Sequence, residues 1–380
     1  MSSALFAAIA GQQRLKEHFA RLLAERAVGH AYLFTGREGL AKTAFARELA
    51  VALVAACGNC GACADCERAR RGLHPDLHLL EREGDVYRIG QVKPILEDLS
   101  LRPYGAGHRV WVISEAEHFN AESANKLLKV IEEPPADVHY LFVTDRLERM
   151  LPTIVSRCQV VEFHPLSDVE IEEYLRGEHG LEGEEGTALA RLAAGSIEHA
   201  ERLALDALGP GRRRAYLREA AALFDGRREE SARAAAAFLA VLGAHKQVIK
   251  ATLQEDLERR QAELEQQFQE KKELKRWLDA AAEREAREVR RRSRTAALDA
   301  VDTLASWLRD LWVVACGASD VLCNCDMQAE LVVAAVAAPE HYARLLAELA
   351  ETRKDLYLNV SHELALKALF ARFTEVAEGA

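Results

Sequence analysis

Five short apolar runs, each followed by a stretch of helical character, do most to limit what this chain can fold into. They are AYLFTG (31–36), LHLLE (77–81), RVWVIS (109–114), HYLFVT (139–144) and QVVEF (159–163). Runs of this length, nearly continuous and rich in branched and aromatic residues, suit strands buried on both faces. Such strands separated by helices assemble into a parallel sheet with helical crossovers. The intervening helices include AKTAFARELAVALVAA and NAESANKLLKVIEE. The second has Asn120 as its cap and Glu122 in its first turn, and it stops before Pro134 and Pro135. This is the pattern of an α/β nucleotide domain.

After FHPLS the strand signals cease. Residues 167–206 read as three short helices punctuated by GEHGLEGEEG and AAGS, followed by a break at LGPGRRR. Beyond it everything reads helical, as a chain dominated by Ala, Leu, Glu and Arg with only 22 Gly and 9 Pro should. The expected organisation is an α/β core over 1–165, a small helical domain over 166–207 and an all-α domain over 208–380. Within the last, a long helical arm is expected at about 245–295. Its apolar positions Leu253, Leu257, Leu264 and Phe268 form a narrow stripe, suited to a single seam or an antiparallel hairpin. The basic run REVRRRSR (287–294) is expected to be a solvated helix face rather than a phosphate contact.

Sixty acidic against fifty basic residues give a net charge of −10, which argues against gripping nucleic acid over a large surface. No run approaches the roughly 18 apolar residues of a membrane span, and the opening MSSALFAAIAGQQR lacks a basic start and a long apolar run. A cytoplasmic protein without a membrane partner is the expectation.

GREGLAKT (36–43) falls between the first strand and the first helix of the core. A phosphate-binding loop needs a glycine for the turn, backbone amides around the phosphates, a lysine for the outer phosphates and a hydroxyl for magnesium. Gly36, Gly39, Lys42 and Thr43 fit those roles, and the helix N-terminus favours anions. Ala41, however, stands where the pattern has glycine. At the tip of the later strand VWVISEAE, Ser114 takes the place of the magnesium-binding aspartate and Glu115 that of the catalytic glutamate. Two readings stand: a nucleotide site, or a tight strand-to-helix turn that binds nothing.

In CGNCGACADC, Cys57, Cys60, Cys63 and Cys66 are three residues apart, with Gly58 and Gly61 supplying backbone freedom for a knuckle. Four thiolates form a closed tetrahedral zinc site with no open catalytic position. An iron–sulfur cluster and unligated thiols are the other readings, the first opposed by the lack of a longer last interval ending in proline. His74 and His78 read as ordinary residues, and Cys158, Cys316, Cys323 and Cys325 as buried thiols. Arg157, in SRC, is either a surface arginine in a salt bridge or one that reaches a neighbouring subunit to stabilise a transferring phosphoryl group.

Together, GQQRLKEHFARLLAERAVGHAYLFTGREGLAKTAFA, the four cysteines, NKLLKVIEEPP and SRC resemble the bacterial clamp-loader family of AAA+ proteins. The similarity is strong over residues 8–206 and continues weakly into SWLRDLWVVACG and NVSHELALKALFARF. The resemblance implies an AAA+ core, a three-helix lid and a helical collar. It also implies a structural Zn2+ on the four cysteines, although the first interval is shorter than is usual in the family. Arg157 would be a trans-acting arginine finger, Thr144 a first-sensor residue, and Glu198 would replace a nucleotide-reading arginine. Ala41, Ser114 and Glu198 all depart from the motor pattern, so ATP or ADP is expected to bind weakly or not at all. The implied role is a non-hydrolysing, stator-like subunit beside the gamma/tau ATPase subunits and the delta subunit, helping to load the sliding clamp on primer-template DNA. The alternatives are an ATP-hydrolysing motor using Lys42, Thr43 and Glu115, and a redox protein built on the cysteine run.

Overall fold

The apolar runs become a five-stranded, all-parallel sheet in a computed structural model, which describes residues 5–7, 9–55, 57–58, 60, 63–82, 86–97, 103, 108–135, 137–205, 209–223, 228–265, 271–356 and 361–378. Gly61 and Phe268 lie outside these residues, as does the side chain of Leu264. The first elements are α1 (Gln13–Ala24), β1 (Ala31–Thr35), α2 (Lys42–Val54), α3 (Ala64–Arg70), β2 (Leu77–Leu80), α4 (Ile89–Glu97), β3 (Arg109–Ile113), α5 (Ala121–Glu132), β4 (Val138–Val143), α6 (Pro152–Val155) and β5 (Gln159–Glu162). The strand order β2-β3-β4-β1-β5 puts β1 between β4 and β5, with Leu33 opposite both Phe142 and Val160. The connections from the adjacent strands β1 and β4 therefore leave toward opposite edges of the sheet, the kind of place where open α/β sheets bind ligands beyond their strand ends.

The central strands β1, β3 and β4 are buried at every residue, as their unbroken apolar runs predict. The edge strands differ from expectation. Val160 on β5 is 46% exposed, and β2 is buried fully only at Leu77. Both are partnered on one side only, and apolar content alone does not encode position in the strand order.

On one face of the sheet Leu33, Trp111, Ile113, Tyr140 and Phe142 pack with Val92, Leu127 and Ile131 of the crossover helices. Tyr32 and Phe34 belong to an aromatic cluster with Phe6, Phe19, Phe45 and Phe163, in which Phe6 stacks on Phe45 at 4.2 Å between centroids. The alternation along β1 (Tyr32 and Phe34 against Leu33) separates the two sets. Helix α5 begins as expected: Asn120 Oδ1 accepts from the Ser123 amide at 2.8 Å.

At the N-terminal ends of the strands, buried His139 shares a hydrogen bond with the Gly29 carbonyl (Nδ1, 2.8 Å) and with His108 (Nε2, 3.0 Å). Burial lowers its pKa from 6.5 to about 4. Because the folded value is depressed, the unfolded chain takes up the proton first as pH falls. Stability is complete above 6.5 and is lost between 6.5 and about 4. Unfolding in urea is expected to need ~2 kcal/mol less at pH 5 than at pH 7.5 from this residue alone. His139→Gln should remove that increment; an unchanged pH difference between variant and wild type would refute the assignment.

Helices α7 (Asp168–His179), α8 (Gly183–Ala193) and α9 (Ile197–Leu205) follow the sheet. After them come α10 (Gly209–Leu223), α11 (Arg228–Glu265), α12 (Lys271–Ala315), α13 (Gln328–Ala334), α14 (Pro339–Asp355) and α15 (His362–Glu378). Two units form, Met1–Tyr174 with Ala193–Ala200 and Leu175–Leu192 with Glu201–Ala380. The helical unit has its own core, in which Leu304, Trp307, Leu308 and Leu311 of α12 pack with Tyr216, Phe238, Tyr342, Leu345, Leu366 and Phe370. The long helices α11 and α12 pack along each other. On α12 the basic run is paired on the helix itself: Glu288 accepts from both Arg291 and Arg292 at 2.7 Å, and these hydrogen bonds pull its carboxyl down to about 2. That is the solvated face expected from the sequence.

Candidate functional site

Residues 36–41 connect the buried end of β1 to the first turn of α2. Gly36 (φ 138°) and Gly39 (φ 83°) both need glycine. A Cβ at Gly36 would stand 2.6 Å from the Phe163 carbonyl, and one at Gly39 would stand 2.0 Å from Ser196 Oγ. Ala41, with φ 58°, keeps the left-handed backbone of the glycine it replaces, at a cost of about 1 kcal/mol. The substitution thus preserves the shape of the loop and adds a buried methyl group to it.

Lys42 opens α2 with its side chain 3% exposed. Its Nζ donates to the Arg37 carbonyl at 2.5 Å and pairs with Asp145 Oδ1 at 2.7 Å. The carboxylate comes from the residue after Thr144, which β4 delivers to the end of β1, where the Thr144 amide donates to the Phe34 carbonyl at 2.9 Å. Gly36, Gly39, Lys42, Thr43 and Thr144 are therefore brought together, and Asp145 joins them. The start of α9 meets the same loop, with Ser196 Oγ (3.1 Å) and the Glu198 amide (3.3 Å) both donating to the Gly39 carbonyl.

At the tip of β3, Ser114 offers a hydroxyl in place of a carboxylate. Glu115 adopts a left-handed backbone (φ 49°) and pairs with Arg82 at 2.6 Å. Thr144 Oγ1 donates to Glu117 Oε2 at 2.7 Å, and the Glu117 side chain is only 5% exposed. The carboxylate on Thr144 is thus Glu117, two residues beyond Glu115. Magnesium is a hard ion that needs oxygen ligands, preferably charged ones. Ser114 supplies no charge, and Glu115 is engaged elsewhere, so these positions do not fit a hydrolytic Mg-nucleotide site.

Arg157 stands apart from this loop. Its Nε donates to Glu132 Oε1 at 2.6 Å, and Nη1 donates to the Thr153 carbonyl (3.0 Å) and to Ser156 Oγ (3.2 Å). With a third of its side chain exposed, it is held at the surface by the last turn of α5. Burial pushes the neighbouring Cys158 thiol up to about 12, which leaves it inert at neutral pH.

The four cysteines lie past the far end of α2, roughly 18 Å along that helix from Lys42. Cys63 caps α3 and Cys66 lies in its buried face, whereas Cys57 and Cys60 are exposed. Their sulfurs all lie within 4.8 Å of one another, with Cys57 Sγ 3.4 Å from that of Cys63 and 3.3 Å from that of Cys66. The edge of a zinc–tetrathiolate tetrahedron is about 3.8 Å, so the cluster fits a metal ion of that coordination. The Cys63 thiol is lowered by the Cys66 backbone amide and by hydrogen bonding with Cys57. His74 and His78 take no part: His74 Nδ1 accepts from the Asp76 amide, and His78 stacks on Trp111. None of the scattered cysteines is fully buried: Cys158, Cys323 and Cys325 are half-buried, and Cys316 is exposed because it follows the last residue of α12.

Sequence reasoning did not find Asp145, Glu117, Glu132 or Ser196. The one available signal was the adjacency of Asp145 to Thr144.

Residues 11–167 match the family described as DNA polymerase III, delta subunit. The chain is similar to the DNA polymerase III subunit delta' of Bacillus subtilis, 34% identical over 170 residues, covering 44% of this chain and 50% of that one. It is similar to subunit delta' of Pseudomonas aeruginosa at 35% over 135 residues, covering 34% and 41%. Similarity to subunit tau of Escherichia coli is 31% over 220 residues, covering 54% and 33%. The matches span half or less of these relatives' length. Among solved structures, a DNA polymerase III gamma-subunit-related protein from Thermotoga maritima is 15% identical with a TM-score of 0.41, covering 94% of this chain and 99% of that one.

Proposed function

We propose that the chain, whose residues 11–167 match the family described as DNA polymerase III, delta subunit, is a delta-prime-like, non-hydrolysing subunit of a clamp loader. In this reading residues 1–165 are its AAA+ core, 166–207 its lid and 208–380 its collar. It packs beside gamma/tau-type ATPase subunits and a delta subunit, and it acts on the sliding clamp and primer-template DNA through that complex in the cytoplasm. The observation that carries the reading is the β3 tip, where Ser114 replaces a metal-binding carboxylate and Glu115 is drawn to Arg82.

Without hydrolysis of its own, the subunit would contribute Arg157 to a neighbour's ATP. The guanidinium is already oriented by Glu132 and the α6 carbonyl of Thr153, and a preorganised cation stabilises charge that develops on a transferring phosphoryl group. The four cysteines would hold a structural Zn2+ that supplies rigidity and no chemistry.

In a reconstituted loader, Arg157→Ala is expected to lower DNA-stimulated ATP turnover by up to about twofold: the site it serves would lose most of the ~10³ an arginine finger contributes, while other sites keep their own. Turnover equal to wild type with the complex intact would sink the role. The motor alternative draws on Lys42 and Thr43 at the start of α2. It would be favoured by ATP turnover from the isolated chain that Lys42→Ala abolishes.

A further inference from the structure

We propose that the loop at residues 36–43 carries an internal ligand: the Asp145 carboxylate holds Lys42 in the role a nucleotide phosphate would otherwise fill, and so keeps the loop closed to phosphate. The inference rests on the reading of a non-hydrolysing subunit and gives it a physical cause. A lysine ammonium has three donors and no acceptor. Here one donor is satisfied by the loop's own Arg37 carbonyl at 2.5 Å and another by Asp145 at 2.7 Å. The ammonium is almost fully buried and the carboxylate is 39% exposed, so the negative group stands at the outer side of the pair. The solvent-facing charge of the pair is therefore the negative one, which opposes an incoming phosphate.

The backbone of the loop is also held in place. The Gly39 carbonyl is engaged by the Ser196 hydroxyl and the Glu198 amide, which fixes the middle of the loop against the start of α9. Glu198 Cβ lies 3.8 Å from where a Gly39 Cβ would be, so a second acidic residue borders the same loop. Phosphate loops work by presenting amides and an ammonium to an anion. In this loop the ammonium is already neutralised, and two carboxylate-bearing residues adjoin it. The glycine conformations at 36 and 39 and the left-handed Ala41 show that loop shape is not what departs from a phosphate site. Charge occupancy is.

The inference predicts a gain of binding. With the full-length chain and inorganic tripolyphosphate as the probe in magnesium-free buffer, Asp145→Asn should bind roughly tenfold or more tightly than wild type by titration calorimetry. Adding Lys42→Ala to that variant should abolish the gain. Far-UV circular dichroism checks the fold of each protein, and Asp145→Ser serves should the amide variant not fold. Equal affinity of wild type and folded Asp145 variants, or a gain that survives loss of Lys42, overturns the inference. The two readings separate cleanly. No gain at Asp145 together with slowed loader turnover in Arg157→Ala removes this inference and leaves the stator, whereas the opposite pattern removes the stator and leaves the internal ligand.

Discussion

Replacing Asp310 with alanine is expected to destabilise the helical unit by about 3–5 kcal/mol, the range for removing one partner of a buried charged network. Asp310 lies on α12 and is fully buried. Its carboxylate accepts from the Cys323 amide (3.0 Å), the Asn324 amide (2.7 Å), Asn324 Nδ2 (2.8 Å) and Arg309 Nη1 (2.7 Å). Asn324, also fully buried, passes the connection on: its Oδ1 accepts from Arg213 of α10, whose guanidinium forks onto Asp326 with both contacts at 2.7 Å. The Asp310 carboxylate thus ties the segment between α12 and α13 to α12, and Asn324 and Asp326 tie the same segment to α10 through Arg213. Alanine would leave the Cys323 and Asn324 backbone amides without an acceptor, each costing about 1–3 kcal/mol when buried, while Asn324 Nδ2 would keep only Ser306 Oγ at 3.2 Å. Asn at 310 keeps the shape and one acceptor but aims an NH2 at donors, so it should recover little. Arg309→Ala, at a partly exposed position, should cost far less. Urea unfolding followed by the signal of buried Trp307 separates these cases. A loss below about 1 kcal/mol for Asp310→Ala would mean that the network contributes nothing net.

None of that network was legible in the sequence. Its members sit at 213, 310, 324 and 326, carry no motif spacing, and look like surface residues of a charged helical chain until the fold encloses them. The sheet was legible for the opposite reason. Leu33, Val110 and Leu141 belong to unbroken apolar runs that have no solvent-facing side, and such runs can only be central strands. The same rule overreached at β5. Val160 and Val161 look as apolar as any central strand, and what separates them is their place in the strand order. Helix α2 shows the converse case: it is buried from Phe45 to Val54 on most sides, and its lack of a polar face is visible in FARELAVALV.

The candidate site divides along the same line. Glycine spacing and the lysine before the helix were legible because backbone conformation is local, and Gly36 and Gly39 take the positive φ values that the loop requires. The partners of the charged groups were not. Lys42 selects Asp145, Thr144 selects Glu117, Glu115 selects Arg82 and Arg157 selects Glu132, over separations of 25 to 103 residues. The first three follow from strand order, which brings the ends of β2, β3, β4 and β1 side by side, and the last from the packing of α5 beside α6. A motif reading that assigned the acidic role to position 115 could not see that its backbone turns left-handed and sends the side chain to Arg82.

Removing one thiolate from the cysteine cluster is the other large expected effect. Cys66 is the buried member, set in α3, and its sulfur is 3.3 Å from that of Cys57. Four sulfurs within 4.8 Å of one another, on a segment with little core of its own, form a stable arrangement when a cation neutralises them. Purified wild-type protein is expected to carry about one zinc per chain, and Cys66→Ser to lose it. Because binding to such sites is worth ~10 kcal/mol or more in small zinc domains, the knuckle should unfold locally when the metal leaves, and thermal unfolding should shift down on chelation. Cobalt substitution gives a second readout, since a tetrahedral tetrathiolate centre has its own visible absorption. Cys158→Ser is the control: its thiol, held at about 12, has no metal partner, and neither zinc content nor chelator response should change. A brown protein would replace zinc with an iron–sulfur cluster. A colourless, metal-free protein whose melting ignores chelators would reduce the cluster to four unligated thiols, and with it the structural role of the segment between α2 and α3.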